Sequence, residues 1–242
     1  MRVALISDLH GNELALEAVL ADAASAGVDR LVCLGDVATL GPRPSAVLAR
    51  LRALGCDCIV GNHDAFLLDA ALIRRYTEAP PVVAAVDWCR AQLGADELDF
   101  VRSFVPQLTL TLDHGVTLLA YHGTPRSHME ELLATTPSAT VDQMLGGCAA
   151  TVMAGGHTHL AMLRQHRGVL LVNPGSVGMP FVAHAGGGPP SLMGHAEYAI
   201  VTGARGGVDV QLKRVPLDRA ALRAQAAACD FPLRDFLVTE YA

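Results

Sequence analysis

Apolar residues in this chain come in short unbroken runs, and each run stops at a cluster of Asp, Asn, His and Gly. Val3 to Ile6 runs into Ser7-Asp8-Leu9-His10-Gly11-Asn12, Leu31 to Leu34 into Gly35-Asp36, and Cys58 to Val60 into Gly61-Asn62-His63-Asp64. Continuous apolar runs of this length fit parallel strands covered on both faces, predicted here over Arg2–Ser7, Arg30–Leu34 and Cys56–Val60. The intervening stretches change to helical spacing. Asn12 is placed as an N-cap, Leu16, Val19, Leu20 and Ala23 form an apolar stripe, and Gly27 falls where a C′ residue belongs. A second helix is predicted near Ser45 to Leu54, closed by Gly55. Three βα repeats in the first sixty residues predict a parallel sheet with right-handed crossovers.

From Ala65 to Phe104 the pattern is helical: Val82, Val86, Cys89 and Leu93 share one face before Gly94, and Leu98, Val101 and Val105 continue after Asp96. Beyond Pro106, Gln107–Leu112 and Val116–His122 read as a hairpin. A weaker helix at Ala139–Leu145 precedes a strand at Thr151–Ala154, which ends in Gly155-Gly156-His157-Thr158-His159. Two more strands meet around Arg167-Gly168, the second ending in Asn173-Pro174-Gly175-Ser176. Met179 to His195, rich in Gly and Pro, reads as a long loop. A last hairpin, Glu197–Thr202 with Val208–Val215, and a helix over Leu217–Cys229 complete the pattern. Without a linker, repeat or low-complexity segment, residues 1–242 are expected to form one α/β domain with two sheets and helices outside.

Composition narrows the class. Of 242 residues, 51% are hydrophobic and 17% charged, which marks a globular chain. A net charge of −6 without a Lys/Arg tract argues against stable nucleic-acid binding. The four-residue apolar run near the N-terminus is too short for a signal peptide, and no run approaches the ~20 residues of a membrane span. The six scattered cysteines read as reduced side chains, so a cytoplasmic protein without membrane association is expected.

In parallel α/β sheets, ligands gather at the carboxyl ends of the strands. Asp8, His10, Asp36, Asn62, His63, His122, His157 and His159 all follow apolar runs. Taken singly, each has a plainer reading: a histidine as a satisfied polar cap, Asp8 and Asn62 as turn formers or N-caps. Five clusters carrying the same chemistry favour one shared site. Imidazole and carboxylate without clustered thiolate suit Mn, Fe or Zn better than Ca or Mg. Leaving out His63, the other seven would fill two adjacent sites if one carboxylate bridged them. Two ions roughly 3.5–4 Å apart clamp a phosphoryl group and make hydroxide available near neutral pH.

The ordered blocks Asp8-x-His10, Gly35-Asp36, Gly61-Asn62-His63-Asp64, His122-Gly123 and Gly156-His157-Thr158-His159 resemble those of calcineurin-like metallophosphoesterases. Asn173-Pro174-Gly175-Ser176-Val177-Gly178 extends the likeness, which is strongest to the small prokaryotic phosphodiesterase branch. The resemblance implies a two-sheet β sandwich flanked by helices, the four-layer αββα fold. It implies that Asp8, His10 and His159 hold one divalent transition-metal ion and that Asn62, His122 and His157 hold another, with Asp36 between them. Mn is the foremost ion, with Fe, Zn and Ni as alternatives. The implied catalytic residues are Asp36, Asn62 and His63. A metal-bridging hydroxide would be the nucleophile, and His63 would contact the phosphoryl oxygens or protonate the leaving group. The implied substrate is a small phosphoester, foremost a diester; a phosphomonoesterase or nucleotide polyphosphatase is the alternative, and a non-catalytic scaffold of the same fold is a minor one. A homo-oligomer is compatible with the sequence.

One departure matters. Where many relatives continue the Gly-Ser-Val-Gly block into a polar Gln-Pro-Arg stretch, this chain has Met179-Pro180-Phe181, followed by a longer loop. If that loop borders the site, it favours a diester or an apolar leaving group over a polyphosphate. Asp64 is expected to be a turn or helix-cap residue, and Arg126, His184 and His195 are expected at the surface or in loops.

Overall fold

The computed structural model describes residues 1–186 and 188–242. In strand β1 (Arg2–Ile6), Val3 and Leu5 face one side and Ala4 and Ile6 the other, and all four are fully buried. A strand apolar on both faces needs cover on both faces. Val3 and Leu5 join Val32 and Leu34 and meet Leu118, Ala120, Val152 and Ala154 of a second sheet. Ala4 and Ile6 pack outward on helices α1 (Glu13–Ser25) and α2 (Pro44–Ala53), through Leu16, Val19, Val47 and Leu51.

The first sheet has the order β10-β9-β1-β2-β3, with β2 at Arg30–Cys33, β3 at Asp57–Cys58, β9 at His195–Ala204 and β10 at Gly207–Pro216. The β1–β2 and β2–β3 pairs are parallel, whereas β9 pairs antiparallel with both β1 and β10. The second sheet has the order β4-β5-β6-β8-β7, with β4 at Leu108–Thr111, β5 at Thr117–Ala120, β6 at Val152–Ala154, β7 at Met162–His166 and β8 at Val169–Asn173. Its outer face, Leu119, Met153 and Leu171, is covered by Val141 and Leu145; these belong to a helix at Ser138–Leu145. Two mixed five-stranded sheets between helical layers give the expected αββα sandwich. Among the described residues, no helix is long and apolar enough to cross a membrane.

The structure differs from the sequence pattern in three places. Regular pairing in β3 covers two residues rather than Cys56–Val60, because β3 is an edge strand and Ile59 and Val60 turn to pair with Val105. Asn62, His63 and Asp64 are not a strand tip. They form the first turn of helix α3 (Asn62–Leu68), with Gly61 as its N-cap, followed by α4 (Ile73–Tyr76), α5 (Pro80–Ala91) and α6 (Ala95–Arg102). The helix at Ser138–Leu145 is α7 and the one at Arg219–Ala227 is α8; a further helix, α9 (Arg234–Glu240), is too short for helical periodicity to reveal. From Met179 to Gly194, with Gly187 outside the described residues, the described residues hold one isolated bridge, Phe181 to Leu192, and His195, expected in this loop, instead opens β9 by pairing with Pro216.

Candidate metal centre

The strand-end clusters share an unusual backbone. Asp8, His10, Asp36, His157 and His159 all have positive φ, between 45° and 67°. Left-handed backbone costs an L-residue roughly 1–2 kcal/mol, so it persists only where surrounding bonds hold it. Here they do. The amides of Asp8 and His10 donate to the carbonyls of Gly35 and Asp36, both at 3.0 Å. Ser176 Oγ and the Gly178 amide donate to the Asp8 carbonyl at 2.7 and 3.0 Å. Asn173 Nδ2 donates to the Gly156 carbonyl at 2.7 Å and to Thr158 Oγ1 at 3.0 Å. The Asn173–Gly178 segment is therefore the brace for the loops after β1 and β6.

Close backbone approach completes the floor. A Cβ on Gly61 would overlap the Asp36 carboxylate, and one on Gly156 would overlap Ser7 Oγ. Asp64 ties the same turn down: its carboxylate accepts from the amides of Asp36 at 2.8 Å and of Val37 and Gly61 at 2.9 Å. That fits the cap role expected of it. Burial and the nearby Asp36 push its carboxyl up to about 6, against the three amides that favour its charged form.

The floor brings all eight predicted site residues together in two groups. Ligand-capable atoms of Asp8, His10 and His159 lie within 4.8 Å of one another, as do those of Asp36, His122 and His157. Asp36 Oδ2 lies 3.4 Å from His122 Nε2 and 3.9 Å from His10 Nε2, which sets its carboxylate between the groups. Asn62 Oδ1 joins the second group, 3.1 Å from His122 Nε2. His63 stands beside the first, its ring edge-on to His10 at 5.1 Å. Arg126 instead pairs with Glu130 at 2.9 Å, His184 with Glu131 at 3.0 Å and His195 with Glu197 at 3.3 Å.

These atoms fit divalent cations better than they fit each other. His122 Nδ1 donates to the Leu34 carbonyl at 2.7 Å and His159 Nδ1 to the Met179 carbonyl at 2.6 Å. A ring held this way presents its Nε2 lone pair to the centre. His10 Nε2 and His159 Nε2 lie 3.1 Å apart. Asp8 Oδ1 and His157 Nε2 are buried with no hydrogen-bond partner, as are Asn62 Nδ2 and His63 Nδ1. Unpaired buried polar atoms cost ~1–3 kcal/mol each, and a cation would relieve the acceptors among them.

In the metal-free floor, Asp36 and His122 favour each other's charged forms. Burial works to raise Asp36 and lower His122, but each outweighs this for the other: Asp36 is held well below the carboxylate range, and His122 rises to about 9. Burial, with Asp36 adding to it, keeps Asp8 raised despite His159 and His122. Burial, followed by neighbouring imidazoles, lowers His10 well below its ordinary value. Burial takes His63 down to about 4 and His157 to about 3.

Above the floor lies a cavity of about 570 Å³. The loop after Gly178 borders it through Met179, Phe181, Pro189 and Pro190, and Tyr76, Leu233 and Phe236 supply further walls. Among the described residues, no Lys or Arg lines it. The loop that the sequence singled out after Gly178 does border the cavity, whereas Tyr76, Leu233 and Phe236 were missed. Phe181 stacks on His159, with ring centroids 4.1 Å apart and planes at 24°. The carbonyls of Leu34 and Met179 have no side-chain signature at all.

A family model described as the calcineurin-like phosphoesterase superfamily domain matches residues 1–222. An uncharacterized protein of Methanocaldococcus jannaschii is 29% identical over 193 residues, covering 74% of this chain and 76% of that protein. A symmetrical bis(5'-nucleosyl)-tetraphosphatase of Bordetella pertussis is 35% identical over 99 residues, 35% of this chain and 36% of the other. Among solved structures, a metallophosphoesterase from Sphaerobacter thermophilus superposes with a TM-score of 0.76 at 27% identity, covering 100% of this chain and 98% of that one.

Proposed function

The chain belongs to the calcineurin-like phosphoesterase superfamily and is a metal-dependent phosphoesterase; on that premise we propose that residues 1–242 form one phosphodiesterase domain served by two divalent ions, Mn foremost. The observation that carries this reading is the pair of converging ligand groups with the Asp36 carboxylate between them. Asp8, His10 and His159 would hold one ion, Asn62, His122 and His157 the other, and Asp36 both. Bound there, the ions supply Lewis acidity and lower the pKa of a coordinated water.

The remaining chemistry falls to the chain. Asn62 Nδ2, buried and unpartnered, donates to a phosphoryl oxygen once Oδ1 faces a cation. His63 is held neutral by burial and lines the cavity. A phosphoryl anion beside it raises its proton affinity, which suits it to hydrogen-bond the phosphoryl group or to protonate a leaving alkoxide. The Leu34 and Met179 carbonyls keep His122 and His159 in one tautomer and orientation.

A diester is favoured over the nucleoside polyphosphate named for the Bordetella relative, since the cavity offers no described Lys or Arg to match extra negative charge. The complete ligand set and His63 weigh against a non-catalytic scaffold. Six free cysteines support a reducing, cytoplasmic setting.

The test is a metal-supplemented screen of activated mono- and diesters, cyclic nucleotides and dinucleoside polyphosphates. Asp36→Asn is expected to lose both metal retention and rate. His63→Ala is expected to keep its metal, measured by elemental analysis, while losing about 10²–10⁴-fold in rate. Loss of metal from the His63 variant would overturn its role, and turnover of none of these esters would overturn the activity.

A further inference from the structure

Two aromatic side chains of the cavity wall stand against different histidines. On the His63 side stands Tyr76, its ring 6.4 Å from the His63 ring and 5.5 Å from Phe66. Phe181 stands against His159, and Leu233 and Phe236 line the same cavity; the three are its apolar slot. Those three are partly buried and pack against the main core from behind while lining the cavity in front. Phe181 is anchored twice, by its stack on His159 and by its bridge to Leu192. A wall fixed by the core does not pay ordering entropy when a ligand arrives, so its apolar area is available for binding. Glu131, paired with His184, also lines the cavity, and a carboxylate there disfavours a second or third anionic group on the substrate.

We propose that this slot binds the ester group retained on phosphorus, and that the substrate is a singly charged phosphodiester whose retained group is aromatic, an aryl or nucleobase-like ring, with Phe181 and Phe236 as its specificity-determining residues. The proposal rests on the phosphodiesterase reading above. Tyr76 packs by His63 and Phe181 by His159, and the departing group is seated by the first pair. The retained group is then seated against Phe181 and Phe236. A flat ring stacks or packs edge-on against aromatic walls, whereas a short alkyl group leaves them wet.

Two esters with the same leaving group isolate the slot: p-nitrophenyl phenyl phosphate and p-nitrophenyl methyl phosphate, assayed on metal-loaded protein and corrected for their uncatalysed rates. The phenyl ester is expected to have a kcat/KM about 10–100-fold higher, the range that burying or stacking one ring gives. Phe181→Ala and Phe236→Ala should each bring that ratio down towards one; Phe181→Leu, which keeps an apolar wall without the ring, should fall between. A ratio near one in wild type, or one unchanged in both alanine variants, overturns the slot while leaving phosphodiesterase activity in place. Hydrolysis of neither ester counts against the activity instead. The slot is then still decided by calorimetry with diphenylphosphinate and dimethylphosphinate, which share one charge and cannot be hydrolysed. Tighter binding of the diphenyl compound, lost in Phe181→Ala, supports the slot, and equal binding overturns it.

Discussion

The floor of the cleft holds Asp8, His10, Asp36, His157 and His159 in left-handed backbone, buried and tied by named hydrogen bonds, while the wall of Phe181, Leu233 and Phe236 rests on apolar packing. The floor concentrates unfavourable terms: strained backbone, unpaired buried acceptors and carboxylates close together. The wall has none of these. The contrast separates two jobs. Holding cations needs fixed lone pairs in a dry place, which only strain and bracing provide. Sorting substrates needs area and shape, which ordinary core residues provide at no cost to folding.

Changes to the floor and the wall should therefore differ in kind. The largest effect is expected from Gly61→Ala, whose Cβ overlaps Asp36 at both its amide and its carboxylate. It should cost on the order of 3–5 kcal/mol in urea unfolding and remove metal binding. A variant with normal stability and metal content would show that the floor is less tightly fixed than its geometry says. Asp64→Asn comes next. It exchanges one acceptor oxygen for a donor facing backbone amides, at a cost of about 1–3 kcal/mol.

A pH series tests the floor without mutation. In metal-free protein, His63 and His157 have lowered folded values of about 4 and about 3, so stability falls as pH drops below their ordinary value near 6.5. His122 is raised to about 9, so its contribution is full below about 6.5 and is lost as pH rises through about 9. Stability of the chelated protein should peak in between. Bound metal requires neutral imidazole, so the alkaline fall should vanish in metal-loaded protein; urea midpoints from about pH 5 to pH 9 decide this. The smallest contrast is on the wall. Phe236→Ala should melt lower than wild type yet show the same metal-induced stabilisation, about 2.7 kcal/mol at a hundredfold excess over Kd.

The same division explains what the sequence made legible. The floor could be read because Asp, His and Asn at the ends of apolar runs are conspicuous, and the runs themselves located β1, β2, β5, β6 and β8. Its second layer could not be read, since carbonyls such as those of Leu34 and Met179 look alike in every residue. Asn62 and His63 were placed at a strand tip although they open α3: a Gly N-cap followed by polar residues reads as a turn until Asp64 is seen capping it. The wall was visible only in part, as Met179-Pro180-Phe181 replacing a polar stretch and as the long Gly/Pro-rich loop after it. Leu233 and Phe236 look like any core residue, and seven residues of α9 are too few for a period to show.

The central place of β1 bears on how the site comes into being during synthesis. Its candidate ligands Asp8 and His10 leave the ribosome before the rest of the site, but one neighbour of β1 is β9, with Leu5 opposite Ala199, and the brace on Asp8 comes from Ser176 and Gly178. Contacts this distant in sequence close late and slowly. A nascent chain ending before β9 would carry all seven candidate ligand residues, His159 the last of them, without the sheet partner that holds β1 in place. Metal capture is therefore expected to follow the pairing of β9, and the open edge of β1 is where a stalled chain would be most exposed to mispairing.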